Sequence, residues 1–133
     1  MFNNLFNSID LKGLHLKNRI IFPAMGTKMA EEDGNVSQQI IDYQVARVKG
    51  GCGLNMSEVC SVHKASAPKG FLAIHSDSLI ESHKKFTDAI HNAGGKCGVQ
   101  LWQGSLASSL DPSAEILVAD DFKYGKYTIP KIS

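Results

Sequence analysis

Three short stretches of this sequence carry residue types suited to holding a flat polar ligand. Phe22-Pro23-Ala24-Met25-Gly26-Thr27 leaves an apolar segment through small residues. Small side chains let backbone N–H and C=O groups approach a planar molecule closely. The same string also reads as a plain strand-to-loop turn, because short Gly/Pro turns are common. Glu58 and Val59 follow a segment that is polar for a buried position, with Asn55 and Ser57 inside it. A carboxylate there would accept a hydrogen bond from a ligand, act as a base, or pair structurally in the floor of the fold. Gln100 alternates with Val99 and Leu101, which places it on the opposite face of a strand from both. Its amide donates and accepts at once and so suits an N–C=O ring edge; backbone groups would satisfy it equally well. Trp102 offers either a stacking surface or packing bulk at a strand end.

The remaining reactive side chains form no recognisable constellation. His63 sits beside Lys64 with no orienting partner nearby in sequence, so it reads as a loop residue. His83 and His91 share one helical pattern and are expected to face solvent or a neighbouring helix. Cys52, Cys60 and Cys97 are odd in number and lack Cys-x-x-Cys spacing, which argues for reduced thiols and against a zinc site. A Gly-x-Gly-x-x-Gly phosphate loop is missing, which disfavours a nicotinamide-binding Rossmann domain.

The elements that must position these stretches repeat in a regular order. Arg19–Phe22, Gly53–Ser57 and Cys97–Leu101 are short apolar runs bounded by glycine, proline or polar residues, as buried strands are. Between them, Ser37–Lys49 has Ile40, Ile41, Val45 and Val48 on one helical face, Ser37 as cap and Gly50-Gly51 as stop. A second helix is expected from Asp77 or Ser78 to Asn92, buried through Leu79, Phe86, Ala89 and Ile90 and ended by Gly94-Gly95. Strand, helix, strand, helix, strand is the pattern of parallel β/α units. Ahead of them, Ser8–Leu16 reads as a hairpin turning at Lys12-Gly13, either plugging a barrel end or lying on the surface. The expected fold is α/β, a partial (β/α)8 barrel made of the N-terminal hairpin and the first three β/α strands. Functional groups of such barrels lie at the C-terminal strand ends, here Pro23–Thr27, Glu58–Ala73 and Gln100–Ser105.

Bulk properties narrow the function. The 133 residues are 43% hydrophobic and 20% charged, with a formal net charge of +1. That near-neutral balance gives no electrostatic case for nucleic acid. No apolar run approaches the roughly 20 residues of a membrane span, and Met1–Phe6 lacks the pattern of a signal peptide. A cytoplasmic protein is expected. Beyond Gln103-Gly104 the sequence turns polar, with no amphipathic helix after the third strand.

Taken in order, these segments resemble the Old Yellow Enzyme family of NADH:flavin oxidoreductases, in particular its bacterial enoate reductase and dienoyl-CoA reductase branch. The resemblance runs from Leu5-Phe6 through Leu16-Lys17-Asn18-Arg19 and the Pro23-Ala24-Met25 turn. It continues with Tyr43, Arg47 and Gly50-Gly51, then Ser57-Glu58-Val59, Gly94-Gly95-Lys96 and Val99-Gln100-Leu101. It implies FMN as cofactor and NAD(P)H as electron donor, with hydride passing to an activated alkene, a small-molecule substrate. It also implies cofactor contacts from Pro23, Ala24, Met25 and Gly26 in the first loop, Val59 on the second strand, and Gln100 at the flavin pyrimidine edge.

One local departure is Trp102-Gln103-Gly104, standing where a His-x-Gly segment is commoner. The family's substrate-anchoring pair, proton-donating tyrosine, phosphate loops and iron–sulfur cysteines come from later strands, so no catalytic residue is assigned. Residues 1–133 are therefore expected to form the N-terminal part of a single FMN-binding barrel domain, inactive alone. The alternative is a non-catalytic half-barrel or interaction module. Either version predicts self-association, since strand edges and barrel-facing side chains would lack cover.

Overall fold

Ser37 decides where the first helix begins. In the computed structural model, which describes residues 2, 4–103, 122–124 and 127–129, its hydroxyl accepts the Ile40 N–H at 3.2 Å. Helix α1 then runs Gln38–Lys49, within the expected bounds. A cap hydroxyl satisfies one of the amide donors that the first turn leaves unpaired. Gly51, at φ 114°, ends the helix in a conformation that side chains avoid. The buried stripe of α1 is Ile40, Gln44 and Val48, while Ile41 and Val45 pack half-buried against the core.

The second helical region starts one residue earlier than the sequence suggests. Ser76, rather than Asp77 or Ser78, is the cap, and its hydroxyl accepts the Ser78 N–H at 3.3 Å. A single 3-10 turn over Asp77–Leu79 leads into α2, Ile80–Asn92. Leu79, Phe86 and Ile90 are buried as expected.

The strands are β1 (Ile9–Leu11), β2 (Leu14–Leu16), β3 (Ile21–Phe22), β4 (Leu54–Ser61), β5 (Leu72–Ala73), β6 (Lys96–Trp102), β7 (Phe122–Tyr124) and β8 (Tyr127–Ile129). β1 and β2 form the expected antiparallel hairpin. Its turn places both Lys12 (φ 47°) and Gly13 (φ 93°) in left-handed backbone. β7 and β8 form a second antiparallel pair that the sequence pattern did not reveal. Gly104 and Ser105, expected at the third strand end, lie outside the described residues.

β4 is the centre of a parallel sheet. β6 pairs with it from Leu54 to Ser61, so β3 (at Leu54 and Asn55) and β5 (at Cys60 and Ser61) share its other edge. Three differences from the sequence reading have local causes. β3 is two residues long because Asn18 takes the Ile20 N–H at 3.0 Å, removing that donor from the ladder. β4 continues past Ser57 to Ser61, so Glu58 lies within the strand rather than at its end. β5, only Leu72–Ala73, is too short to show a period in sequence.

Both helices pack on one face of this sheet. Val36, Ile40, Val48, Cys60, Leu72, Phe86 and Ile90 form the buried cluster between them. Phe22 turns toward α1, its ring 6.0 Å from that of Tyr43 in an edge arrangement, and the Arg47 guanidinium lies 3.4 Å from the Tyr43 ring centroid. Alternation therefore sends Ile21, the neighbour of Phe22, to the face without helices, where it is 48% exposed. Parallel strands joined by helices on one face are the arrangement of successive β/α barrel units.

Candidate functional site

Val59 and Gln100 are register partners across β4 and β6. Val99 lines a cavity of about 250 Å³ together with Phe86, Thr87 and His91 of α2. It thus looks toward the helices, and Gln100, the next residue, stands on the opposite face. Gly98 identifies another occupant of that helix-free face. A Cβ at Gly98 would come within 2.6 Å of the Met56 sulfur, so the Met56 side chain lies directly across this glycine. Val59 is half-buried and Gln100 exposed.

The loop after β3 reaches the same end of the sheet through Glu58. Pairing of β4 with β6 is irregular between Met56 and Val59, and such bulges re-aim the residues within them. Glu58 lies inside this irregularity, fully buried. Its carboxylate accepts the Thr27 N–H at 3.0 Å and the Thr27 hydroxyl as well. Of the roles open to Glu58 in sequence, pairing within the fold is the one the geometry displays. Gly26 is closed on one side by Phe71, whose ring edge would lie 3.1 Å from an added Cβ.

The first loop presents its backbone rather than its side chains. Pro23, Met25 and Gly26 are exposed and Ala24 half-buried. Among the described residues, the backbone groups of Ala24, Met25 and Gly26 make no hydrogen bond. Loop N–H and C=O groups without a partner among the described residues, a two-way amide at Gln100 and apolar side chains at Met56 and Val59 are the kinds of group that a flavin ring would take up. Gln100 would meet the ring's N–C=O edge, and the loop backbone its other heteroatoms.

Other residues weighed in the sequence fall elsewhere. His63 closes a turn of its own loop, its ring Nδ1 accepting the Ala65 N–H at 3.3 Å. His63, Phe71 and His75 line a cleft of about 590 Å³ that contains none of the six predicted cofactor residues. His83 is half-buried, and its ring turns toward the sheet: Nε2 lies 2.9 Å from the Ala73 carbonyl and 3.9 Å from the Cys60 sulfur. Burial pushes the Cys60 and Cys97 thiols up to about 11, which leaves both protonated and unreactive near neutrality. Sequence reasoning did not single out Met56, and it placed Thr27 in the Pro23–Thr27 loop without its partner Glu58. Both are placed by long-range contacts, and only the run of small residues before Thr27 hinted at a shaped loop.

The sequence profile of the NADH:flavin oxidoreductase / NADH oxidase family matches residues 4–124. The chain is 37% identical over 105 residues to an NADH oxidase of Thermoanaerobacter brockii, covering 75% of this chain and 16% of that protein. It is 33% identical over 101 residues to an NADPH dehydrogenase of Listeria monocytogenes serotype 4b, covering 74% of this chain and 30% of that protein. It therefore spans less than a third of either relative. The crystal structure of the Old Yellow Enzyme homologue from Zymomonas mobilis superposes with a TM-score of 0.75 at 21% identity, covering 97% of this chain and 38% of that one. That likeness establishes the fold as part of a (β/α)8 barrel. FMN is the cofactor of the matched family and NAD(P)H its electron donor. With the profile covering nearly all of its length, the chain belongs to the NADH:flavin oxidoreductase / NADH oxidase family.

Proposed function

We propose that this chain supplies the flavin-ring wall of an NAD(P)H-dependent ene reductase that acts on a small activated alkene. The observation that carries the reading is the pairing of Val59 with Gln100 on the helix-free face. When bound, FMN would supply the hydride-transfer chemistry that couples the nicotinamide to the electron-poor alkene. The chain's own work is orientation. Gln100 fixes the rotation of the ring in its plane, and the Pro23–Gly26 backbone limits its approach. Met25, Met56 and Val59 give it an apolar surface that keeps water from one side. No residue of this chain is assigned as an acid or base.

Flavin binding and turnover are separable tests. Added FMN should lose fluorescence on mixing with the chain, and NADPH consumption should accelerate with 2-cyclohexen-1-one only when the chain is joined to the remaining barrel strands of a family member. If FMN binds and NADH is consumed with oxygen alone, the activity narrows to that of an NADH oxidase. If FMN does not bind, the assignment of these residues to the flavin fails.

A non-catalytic half-barrel or interaction module is the second reading. What favours it is exposed apolar surface on β6, where Leu101 is 62% and Val99 44% exposed. The proposed location is the cytoplasm, on the ground that Cys52, Cys60 and Cys97 are all free thiols. Among the described residues no helix is long and apolar enough to cross a membrane.

A further inference from the structure

We propose that Glu58 is the positioning residue of the flavin site, setting through Thr27 where the Ala24–Gly26 backbone stands. This rests on the flavin reading above and adds a residue that does not itself touch the ring. The carboxylate is fully buried and holds Thr27 by two arms, the backbone N–H at 3.0 Å and the side-chain hydroxyl. The hydroxyl also accepts the Met29 N–H at 3.3 Å, which carries the constraint two residues onward. From the other side, the Ser37 hydroxyl donates to the Met29 carbonyl, and the Ala30 N–H donates to the Gly70 carbonyl at 3.2 Å.

The segment between these anchors has no regular secondary structure, yet its backbone is held in an uncommon state. Lys28 has φ 59°, the left-handed region that residues with a Cβ avoid. Such a conformation persists where the surroundings over-determine it. Anchoring begins at Thr27, immediately after the residues whose backbone groups are free of partners among the described residues. A loop with free donors and acceptors needs a fixed end to present them in one geometry, and a buried, twice-bonded carboxylate provides a stiff one. Ser37 and Gly70 continue to hold the far side if Glu58 is altered, so the loop should stay folded while its near end loosens.

The test uses the whole chain, FMN as the probe, and the variants Glu58→Gln, Thr27→Val and Thr27→Ser. Glu58→Gln replaces one accepting oxygen by an amide group that cannot accept. Thr27→Val removes the hydroxyl arm and keeps the amide arm, and Thr27→Ser keeps both. FMN affinity is read from fluorescence quenching, ring geometry from visible circular dichroism of the bound flavin, and folding from the thermal midpoint. The expected result is roughly tenfold weaker binding and an altered flavin dichroism for Glu58→Gln. Thr27→Val should lose less than that, and Thr27→Ser should remain within about twofold of the parent. Hydrogen exchange at the Thr27 amide should quicken in Glu58→Gln. If the midpoints fall while affinity and dichroism of the folded protein stay constant, Glu58 is merely structural and the proposal is overturned. If Glu58→Gln does not fold, the contrast between Thr27→Val and Thr27→Ser decides by the same criteria. Failure of the parent chain to bind FMN overturns the flavin reading itself, and this proposal with it.

Discussion

Asn55 of β4 donates its side-chain amide to Gln44 of α1, at 3.0 Å to the side-chain oxygen and 3.1 Å to the backbone carbonyl. Both residues are wholly buried. Gln44 is turned further toward the strand by its own amide, which donates to the Met56 carbonyl at 3.4 Å. This explains why the central position of the helix stripe is polar: the strand beneath it offers polar partners. The pair also fixes the height of α1 along β4, since an amide contact of this kind has one register where an apolar contact has several.

Replacing Asn55 with leucine should therefore cost more than the loss of one hydrogen bond. The Gln44 side-chain oxygen would be left buried without a donor, a penalty of about 1–3 kcal/mol. Asn55→Asp should be at least as damaging, because a carboxylate cannot donate to Gln44 and is expensive to bury. Urea unfolding of the two variants checks this. A stability change below about 0.5 kcal/mol, the usual range of an innocuous surface substitution, would show that the amide pair is not holding the helix to the strand.

The thiols give a pH prediction with a definite sign. In the folded chain, burial raises Cys60 and Cys97 from 9.0 to about 11. A group whose folded-state value is raised stabilises fully below its unfolded value, and that contribution disappears as pH rises through the folded value. Stability should thus be insensitive to these two thiols below pH 9 and fall between pH 9 and about 11. Cys60→Ser and Cys97→Ser should flatten that alkaline loss. Alkylation at neutral pH should label Cys52, which is half-buried, well before the fully buried Cys60. Rapid labelling of Cys60 in the folded protein would contradict the buried, protonated thiol.

The parts of this fold that were legible in the sequence are those specified locally. The bounds of α1 were readable because Ser37 and Gly50-Gly51 act within a turn of the helix they delimit. The face of Gln100 was readable because alternation is a property of any strand. By contrast, β5 has two residues and exists because β4 runs on past Val59 and offers it an edge. The partner of Glu58 lies 31 residues away, and no spacing rule reaches that far. The same holds for His83, whose helical position suggested solvent until β5 brought the Ala73 carbonyl beside it. At the site, residue types announced a shaped loop and an amide, whereas the clamp that orients the loop required the bulge in β4.

Gly98 allows a test of the helix-free face that does not depend on any ligand. Gly98→Ala places a methyl group 2.6 Å from the Met56 sulfur and 3.0 Å from its terminal carbon. The obstacle is the end of a flexible side chain, so Met56 should swing aside at a cost of about 1–2 kcal/mol. Removing the obstacle should remove most of that penalty. Gly98→Ala in a Met56→Ala background is expected to be nearly neutral, giving a coupling energy of at least about 0.5 kcal/mol in a double-mutant cycle. Strict additivity would mean that Met56 does not lie across Gly98.

The expected self-association would use a particular surface. Leu101 is the register partner of Cys60, a residue of the buried cluster, yet Leu101 itself is 62% exposed. Val99, on the same face of β6, is 44% exposed. Apolar side chains that continue the helix-facing row of a sheet gain by burial, roughly 25 cal/mol for each square ångström removed from water. We propose that a second copy of the chain supplies that cover when nothing else does. Leu101→Lys places a charge in the row and should drive the sedimenting species toward the monomer mass of 14.4 kDa. A control substitution, Lys85→Glu, on the exposed side of α2, should leave the distribution unchanged. A parent chain that already sediments as a monomer across the accessible concentration range would refute the proposal, because the exposed row would then be tolerated in water.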